Sequence, residues 1–143
     1  MKNFILIYLI LLLIAFSADA QIKRDTIKGS HGSYEIRAVF PGGDKNWKNY
    51  LKQNFRENEV RCEMPVRDSI YTETAVVQFK ILKDGKIAEV LCRNSNLINR
   101  TLKNEAVRLI MEAPLWISAE RNGRLMNDYR IEKISITVSP VYL

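Results

Sequence analysis

Regular alternation of apolar and polar positions marks two stretches of the chain, and helical spacing marks two more. In residues 75–82, Val77, Phe79 and Ile81 alternate with Gln78 and Lys80, the period-two pattern of a half-buried strand. Asp84-Gly85 follows, flanked by Lys83 and Lys86, and a second β-prone run occupies residues 87–93. Both central residues of a type I′ turn need positive φ, which Gly favours and Asp tolerates, so this pair predicts a hairpin of that type. Leu102, Ala106, Leu109, Ile110 and Ala113 then recur at helical spacing, with Asn99 or Thr101 as cap and Pro114 as the stop. Trp116, just beyond the stop, is placed to fold back onto the sheet, and Asn122-Gly123 signals another tight turn. The last strand covers residues 129–138, with Ile134, Ile136 and Val138 on one face and Ser135 and Thr137 on the other. Ser139-Pro140 ends it.

Upstream, Trp47, Tyr50, Leu51 and Phe55 form one face of about three helical turns, and Lys45, Lys48, Lys52 and Arg56 take the wet side. Such an aromatic stripe is read as core. The bend at Pro41-Gly42-Gly43 precedes it, and Asp44 is the candidate N-cap, because its carboxylate can accept from first-turn amides. Residues 57–74 show no sustained period; Met64-Pro65 breaks any helix and Asp68-Ser69 suggests a turn. The order helix, strand, strand, helix, strand predicts an α+β fold. A small antiparallel three-stranded sheet packs on two helices within one domain, residues 38–143. A sheet that small leaves an edge strand with unpaired backbone donors and acceptors.

The amino-terminal segment changes the picture of where this domain works. Residues 1–20 combine Lys2, an apolar run of 13 residues from Phe4 to Phe16, and Ala18-Asp19-Ala20. This is the layout of a secretory signal cleaved between Ala20 and Gln21, and the run is shorter than the ~20 residues of a membrane-spanning helix. An uncleaved anchor is the alternative. Residues 21–37 are polar, without an apolar period, and are expected to form a flexible lead.

The chain of 143 residues carries net charge +6, with basic residues spread along it rather than clustered. That pattern describes a solvated basic surface and not a nucleic-acid footprint. Cys62 and Cys92 are the only cysteines. Export permits a disulfide, which would close a 31-residue loop; two free thiols are the other reading, since Cys92 shares a predicted face with Ala88 and Val90. No C-x-x-C or Cys-His spacing, no G-x-S-x-G, no H-E-x-x-H and no phosphate-binding glycine loop occurs. His31, the only histidine, lies in the polar lead, and Glu105 with Arg108 reads as an ordinary surface ion pair at i, i+3. Catalytic, cofactor and metal sites are therefore not expected, nor is a small-molecule substrate.

Several motifs, in order, resemble the C-terminal domain of the TonB family of periplasmic energy transducers in Gram-negative bacteria. They are Phe40-Pro41-Gly42-Gly43 with Trp47 and Tyr50-Leu51; Val77-x-Phe79-x-Ile81-x-Lys83-Asp84-Gly85-Lys86-Ile87-x-x-Val90; Leu102-x-x-Glu105-Ala106-x-Arg108-x-Ile110 with Pro114-x-Trp116; and Asn122-Gly123-Arg124. The resemblance covers residues 40–138. It implies a cell-envelope binding module serving transmembrane transport, whose last strand pairs with a segment of an outer-membrane transporter or another envelope protein by β-augmentation. The implied pairing residues are Arg130, Ile131, Glu132, Lys133, Ile134, Ser135, Ile136, Thr137 and Val138. Lys133, Ser135 and Thr137 would flank the guest. Family transducers also have an uncleaved inner-membrane helix and a proline-rich spacer, whereas only Pro41 precedes the first helix here. The expectation is a periplasmic module, with a membrane-anchored transducer as the alternative. Cover of the edge by the lead, or by a second copy through strand exchange, is the competing expectation for the last strand.

Overall fold

The computed structural model describes residues 26–28, 34–65 and 68–140. The leader, the Ala20–Gln21 junction and His31 lie outside these residues. The fold is α+β, with ten elements among the described residues: β1 (Thr26–Lys28), β2 (Tyr34–Ile36), α1 (Gly43–Asn54), α2 (Glu57–Cys62), β3 (Tyr71–Ile81), β4 (Ile87–Cys92), α3 (Arg100–Met111), β5 (Ala119–Arg121), β6 (Arg124–Met126) and β7 (Asp128–Val138). The predicted antiparallel three-stranded sheet is present, in the order β4-β3-β7. A second antiparallel sheet, β1-β2-β5-β6, was not anticipated. Two stretches of the supposedly flexible lead form its strands β1 and β2, and β2 pairs with β5. The unreadable stretch after α1 holds a third helix, α2, which buries Val60.

One face of the three-stranded sheet supplies Ala75, Val77, Phe79 and Ile81 from β3 and Ile134, Ile136 and Val138 from β7 to the core. Helix α3 covers it with Leu102, Ala106, Leu109 and Ile110. Asn99 caps α3, its Oδ1 accepting from Thr101 N at 2.7 Å and Leu102 N at 3.4 Å. At α1 Asp44 is not the cap: Gly42 holds the N-cap position with φ 83°, and no side chain among the described residues caps the first turn. Asp44 instead lies 3.5 Å from Arg130. Phe40, Trp47, Tyr50, Phe79 and Trp116 form one aromatic cluster, with Trp47 and Trp116 edge to face at 5.0 Å. Trp116 does fold back onto the sheet.

The hairpin between β3 and β4 differs from the predicted type I′ turn. Gly85 has φ 82°, whereas Asp84 is not among the non-glycine residues of positive φ. Gly85 N donates to Leu82 O at 2.9 Å and Leu82 N donates to Lys86 O at 2.8 Å. This is a type I turn followed by a left-handed glycine, a three-residue loop. Asn122-Gly123, with φ 49° and 76° between Arg121 and Arg124, is the two-residue turn with both central residues at positive φ. In β4 the register shifts opposite Phe79, and Glu89 has φ 50°. The bulge moves Ala88 opposite Lys80 on the outer face, while Cys92 stays opposite Val77 in the core. Ala88 and Cys92 therefore do not share a face. Both thiols are free, Cys62 exposed and Cys92 buried, so the disulfide reading is set aside.

Candidate functional site: the free edge of β7

Strand β7 pairs with β3 along its whole length, from Tyr71↔Val138 to Ile81↔Asp128, and no described strand lies on its other side. Which backbone groups point outward follows from β3. Arg93 N donates to Val76 O at 2.8 Å, Val76 N donates to Asn94 Oδ1 at 2.9 Å, and Asn94 Nδ2 donates to Thr74 O at 2.8 Å. Even-numbered residues of β3 thus turn towards β4, and odd-numbered ones bond β7 through its even-numbered residues. The outward groups of β7 belong to Tyr129, Ile131, Lys133, Ser135 and Thr137.

One end of this edge is closed. Arg37 holds the buried Asp128 with a two-pronged grip, Nε to Oδ2 at 2.9 Å and Nη2 to Oδ1 at 2.8 Å, and Nη2 also donates to Tyr129 O at 2.9 Å. Hydrogen bonding to Asp128 raises the Arg37 pKa above its ordinary value. Ala38 N adds a bond to Asp128 Oδ2 at 3.0 Å, and Tyr129 N is taken by Asp128 Oδ1 at 2.8 Å. Lys133 N has only a 3.2 Å contact to the side chain of Glu132. The outward N–H and C=O groups of Ile131, Ser135 and Thr137 have no partner among the described residues. The open ladder from Ile131 to Thr137 spans roughly 20 Å at a strand's rise per residue.

The pairing residues read from sequence therefore divide into two sets. Arg130, Glu132, Ile134, Ile136 and Val138 bond β3, and their side chains face inward. Arg130 lies over the Trp116 ring at 5.3 Å and donates to Ala38 O; Glu132 accepts from Trp47 Nε1 at 2.6 Å. Ile131, Lys133, Ser135 and Thr137 carry the open edge, with side chains on the outer, exposed face. There Thr72–Thr137 and Thr74–Ser135 are hydroxyl pairs at 2.9 and 2.7 Å.

The opposite edge of the same sheet is blunted. Strand β4 is only six residues long and bulged at Glu89, and where it ends the Asn94 side chain takes over its bonding to β3. Nothing in the sequence spacing of Asn94 signals such a plug.

Beside the open edge runs a groove of about 730 Å³ between β7 and helices α1 and α2. Leu51, Phe55, Leu109, Ile134 and Ile136 supply its apolar lining, Lys48, Lys52, Glu57, Arg61 and Glu132 its charges, and Lys133 stands at its rim on the edge itself. Lys48, Leu51 and Lys52 share one face of α1 by their spacing of three and four residues, and Phe55 follows at its C-cap. The hydrogen bond from Trp47 to Glu132 sets that helix against the strand.

Behind the groove, Glu105 and Arg108 hold α1, α2 and α3 together, and they are not the surface pair expected. Glu105 is 7% exposed; it accepts from Arg108 Nε and Nη2 at 2.7 Å each and from Arg56 N at 2.8 Å. Burial acts to raise its pKa, but the bonds from Arg108 and Arg56 outweigh that and hold it below the ordinary glutamate value. Arg108 also reaches Glu112 and Asn54 O. No group of three or more metal-ligating side chains is found among the described residues. No helix among them is long and apolar enough to cross a membrane.

Compared with protein-family models, with curated proteins and with solved structures, the chain matches none.

Proposed function

We propose that this chain is an exported, TonB C-terminal-like binding module of the periplasm that captures an extended segment of a partner protein along the free edge of β7. A segment of an outer-membrane transporter or of another envelope protein is the natural guest. Backbone bonds to Ile131, Lys133, Ser135 and Thr137 supply the affinity, and side chains alternating between the groove and the outer face supply the selectivity. The supporting observation is the row of unpaired backbone groups at Ile131, Ser135 and Thr137, standing beside a groove while the far edge of the sheet is blunted.

The parity of the edge selects the test. Proline at Ile134 or Ile136 would delete a bond to β3 and damage the sheet. Proline at Ser135 removes an outward N–H and is tolerated on an edge. Ser135→Ala controls for the hydroxyl pair with Thr74. In the isolated protein the amides of Ile131, Ser135 and Thr137 should exchange fast, and those of Ile134 and Ile136 slowly. A partner captured from an envelope extract should protect the first set, and Ser135→Pro should abolish capture while Ser135→Ala retains it. Protection of those three amides in the isolated monomer would mean that the edge is already covered. Protection that rises with protein concentration would instead mark a dimer through β7.

A further inference from the structure

The groove has a sign. Glu57 is paired with Arg61, whereas Glu132 accepts only from the uncharged Trp47 Nε1 and Lys133 N and keeps its negative charge, so the balance is one unpaired carboxylate against the lysines of the groove and edge. Lys48 and Lys52 on the groove side, and Lys133 on the outer side, have no carboxylate within 4.0 Å among the described residues. A strand added to β7 sends alternate side chains to each of these sides, so both rows of a guest meet an unneutralised ammonium. Along the groove, Lys48 adjoins the Trp47–Glu132 contact, and Phe55 lies about two helical turns further on. Carboxylates are thus favoured in the guest's outer row near Lys133 and apolar side chains near the Thr137 end, while in the groove row Lys48 and Lys52 outnumber the single unpaired carboxylate of Glu132.

From this arrangement we infer that the guest is an acidic extended segment of a partner protein. It is drawn in by Lys48, Lys52 and Lys133, and cationic segments are disfavoured at the same edge. The inference rests on the edge-capture reading and adds charge selection to it. Exposed pairs of this kind are individually weak and salt-screened, so their combined effect is selectivity and encounter rate rather than bulk affinity.

The test uses the full folded chain and three labelled seven-residue peptides, with Val at alternate positions and Glu, Gln or Lys between. Fluorescence polarisation at low salt should rank them Glu, Gln, Lys, with about a tenfold span between the extremes that shrinks at 0.5 M salt. Lys48→Glu, Lys52→Glu and Lys133→Glu together should reverse the ranking, the three corresponding Gln changes together should flatten it, and Ser135→Pro should abolish binding of all three. Equal, salt-independent binding of the three peptides, still lost in Ser135→Pro, would overturn the charge selection and leave edge capture standing. Binding of none of them, or undiminished binding of the Glu peptide by Ser135→Pro, would overturn edge capture itself.

Discussion

The backbone of Trp116 rests directly on Gly85. Trp116 N donates to Gly85 O at 2.9 Å, and Trp116 O lies 2.2 Å from where a Cβ on Gly85 would stand. The hairpin turn and the segment after α3 are therefore one contact, which carries the Trp116 ring into the aromatic cluster. Gly85→Ala faces two costs, a left-handed backbone and an overlap with a main-chain oxygen that cannot swing away; together they should amount to about 2–4 kcal/mol. Gly123 is also left-handed, at φ 76°, but a Cβ there meets nothing within 4 Å, so Gly123→Ala should lose only about 1 kcal/mol. Denaturant melts of the two variants check the difference, which isolates the Trp116 contact.

Glu105 predicts acid sensitivity. Its carboxyl is held below the ordinary value of 4.5 in the folded state, so its stabilising contribution is complete above that value and fades as pH falls through the folded pKa. Glu105→Gln should cost about 2 kcal/mol at pH 7, where a charged acceptor for Arg108 and Arg56 N is lost. Below the folded pKa the variant and the parent should converge. Urea midpoints measured from pH 7 down to pH 3 check this, and a constant gap across the range would assign the loss to packing alone.

Glu89 is a left-handed residue within a strand, tied to Lys80 at 2.8 Å and to the Tyr129 hydroxyl at 3.2 Å. A side chain in that region is strained, and the surface contacts around it are weak. Glu89→Gly should therefore raise the thermal midpoint, whereas Glu89→Val, β-branched at positive φ, should lower it. Calorimetry of the pair reads the sign directly. Equal effects would mean that the bulge relaxes away when the side chain changes.

The long elements were legible because their burial is periodic. Val77, Phe79 and Ile81 turned inward as their spacing required, and so did Leu102, Ala106, Leu109 and Ile110. What was missed is local or polar. Strands β1 and β2 have three residues each, and α2 buries a single Val60, so none offers a period to read. The Asp-Gly pair suits both kinds of hairpin loop, because either needs glycine at position 85; the φ of Asp84 is what distinguishes them. On β7, Asp128, Arg130 and Glu132 share the inward parity of Ile134, yet their charge hid that face. They tolerate it because Arg37, the Trp116 ring and Trp47 Nε1 receive them. The division of the edge into outward and inward backbone groups depends on how β3 bonds β4, and no single-strand pattern carries that information.

Arg37 limits the dock at its amino-terminal end, and its geometry makes the substitution pattern specific. The guanidinium makes two bonds to Asp128 and one to Tyr129 O, a fork that an ammonium cannot reproduce. Arg37→Ala leaves Asp128 buried with only the amides of Ala38 and Tyr129 as donors, and should destabilise the fold by about 1–3 kcal/mol. Arg37→Lys should recover little of this. Removing both charges, as Arg37→Ala with Asp128→Asn, should cost less than the sum of the two single changes, because neither charge is then left without its partner. Equilibrium unfolding of the four-member cycle measures that coupling. The freed Tyr129 carbonyl should also extend the open ladder by one acceptor, while Tyr129 N stays with Asp128 Oδ1, so a guest strand bound to Arg37→Ala should have one more of its own amides protected from exchange than when bound to the parent.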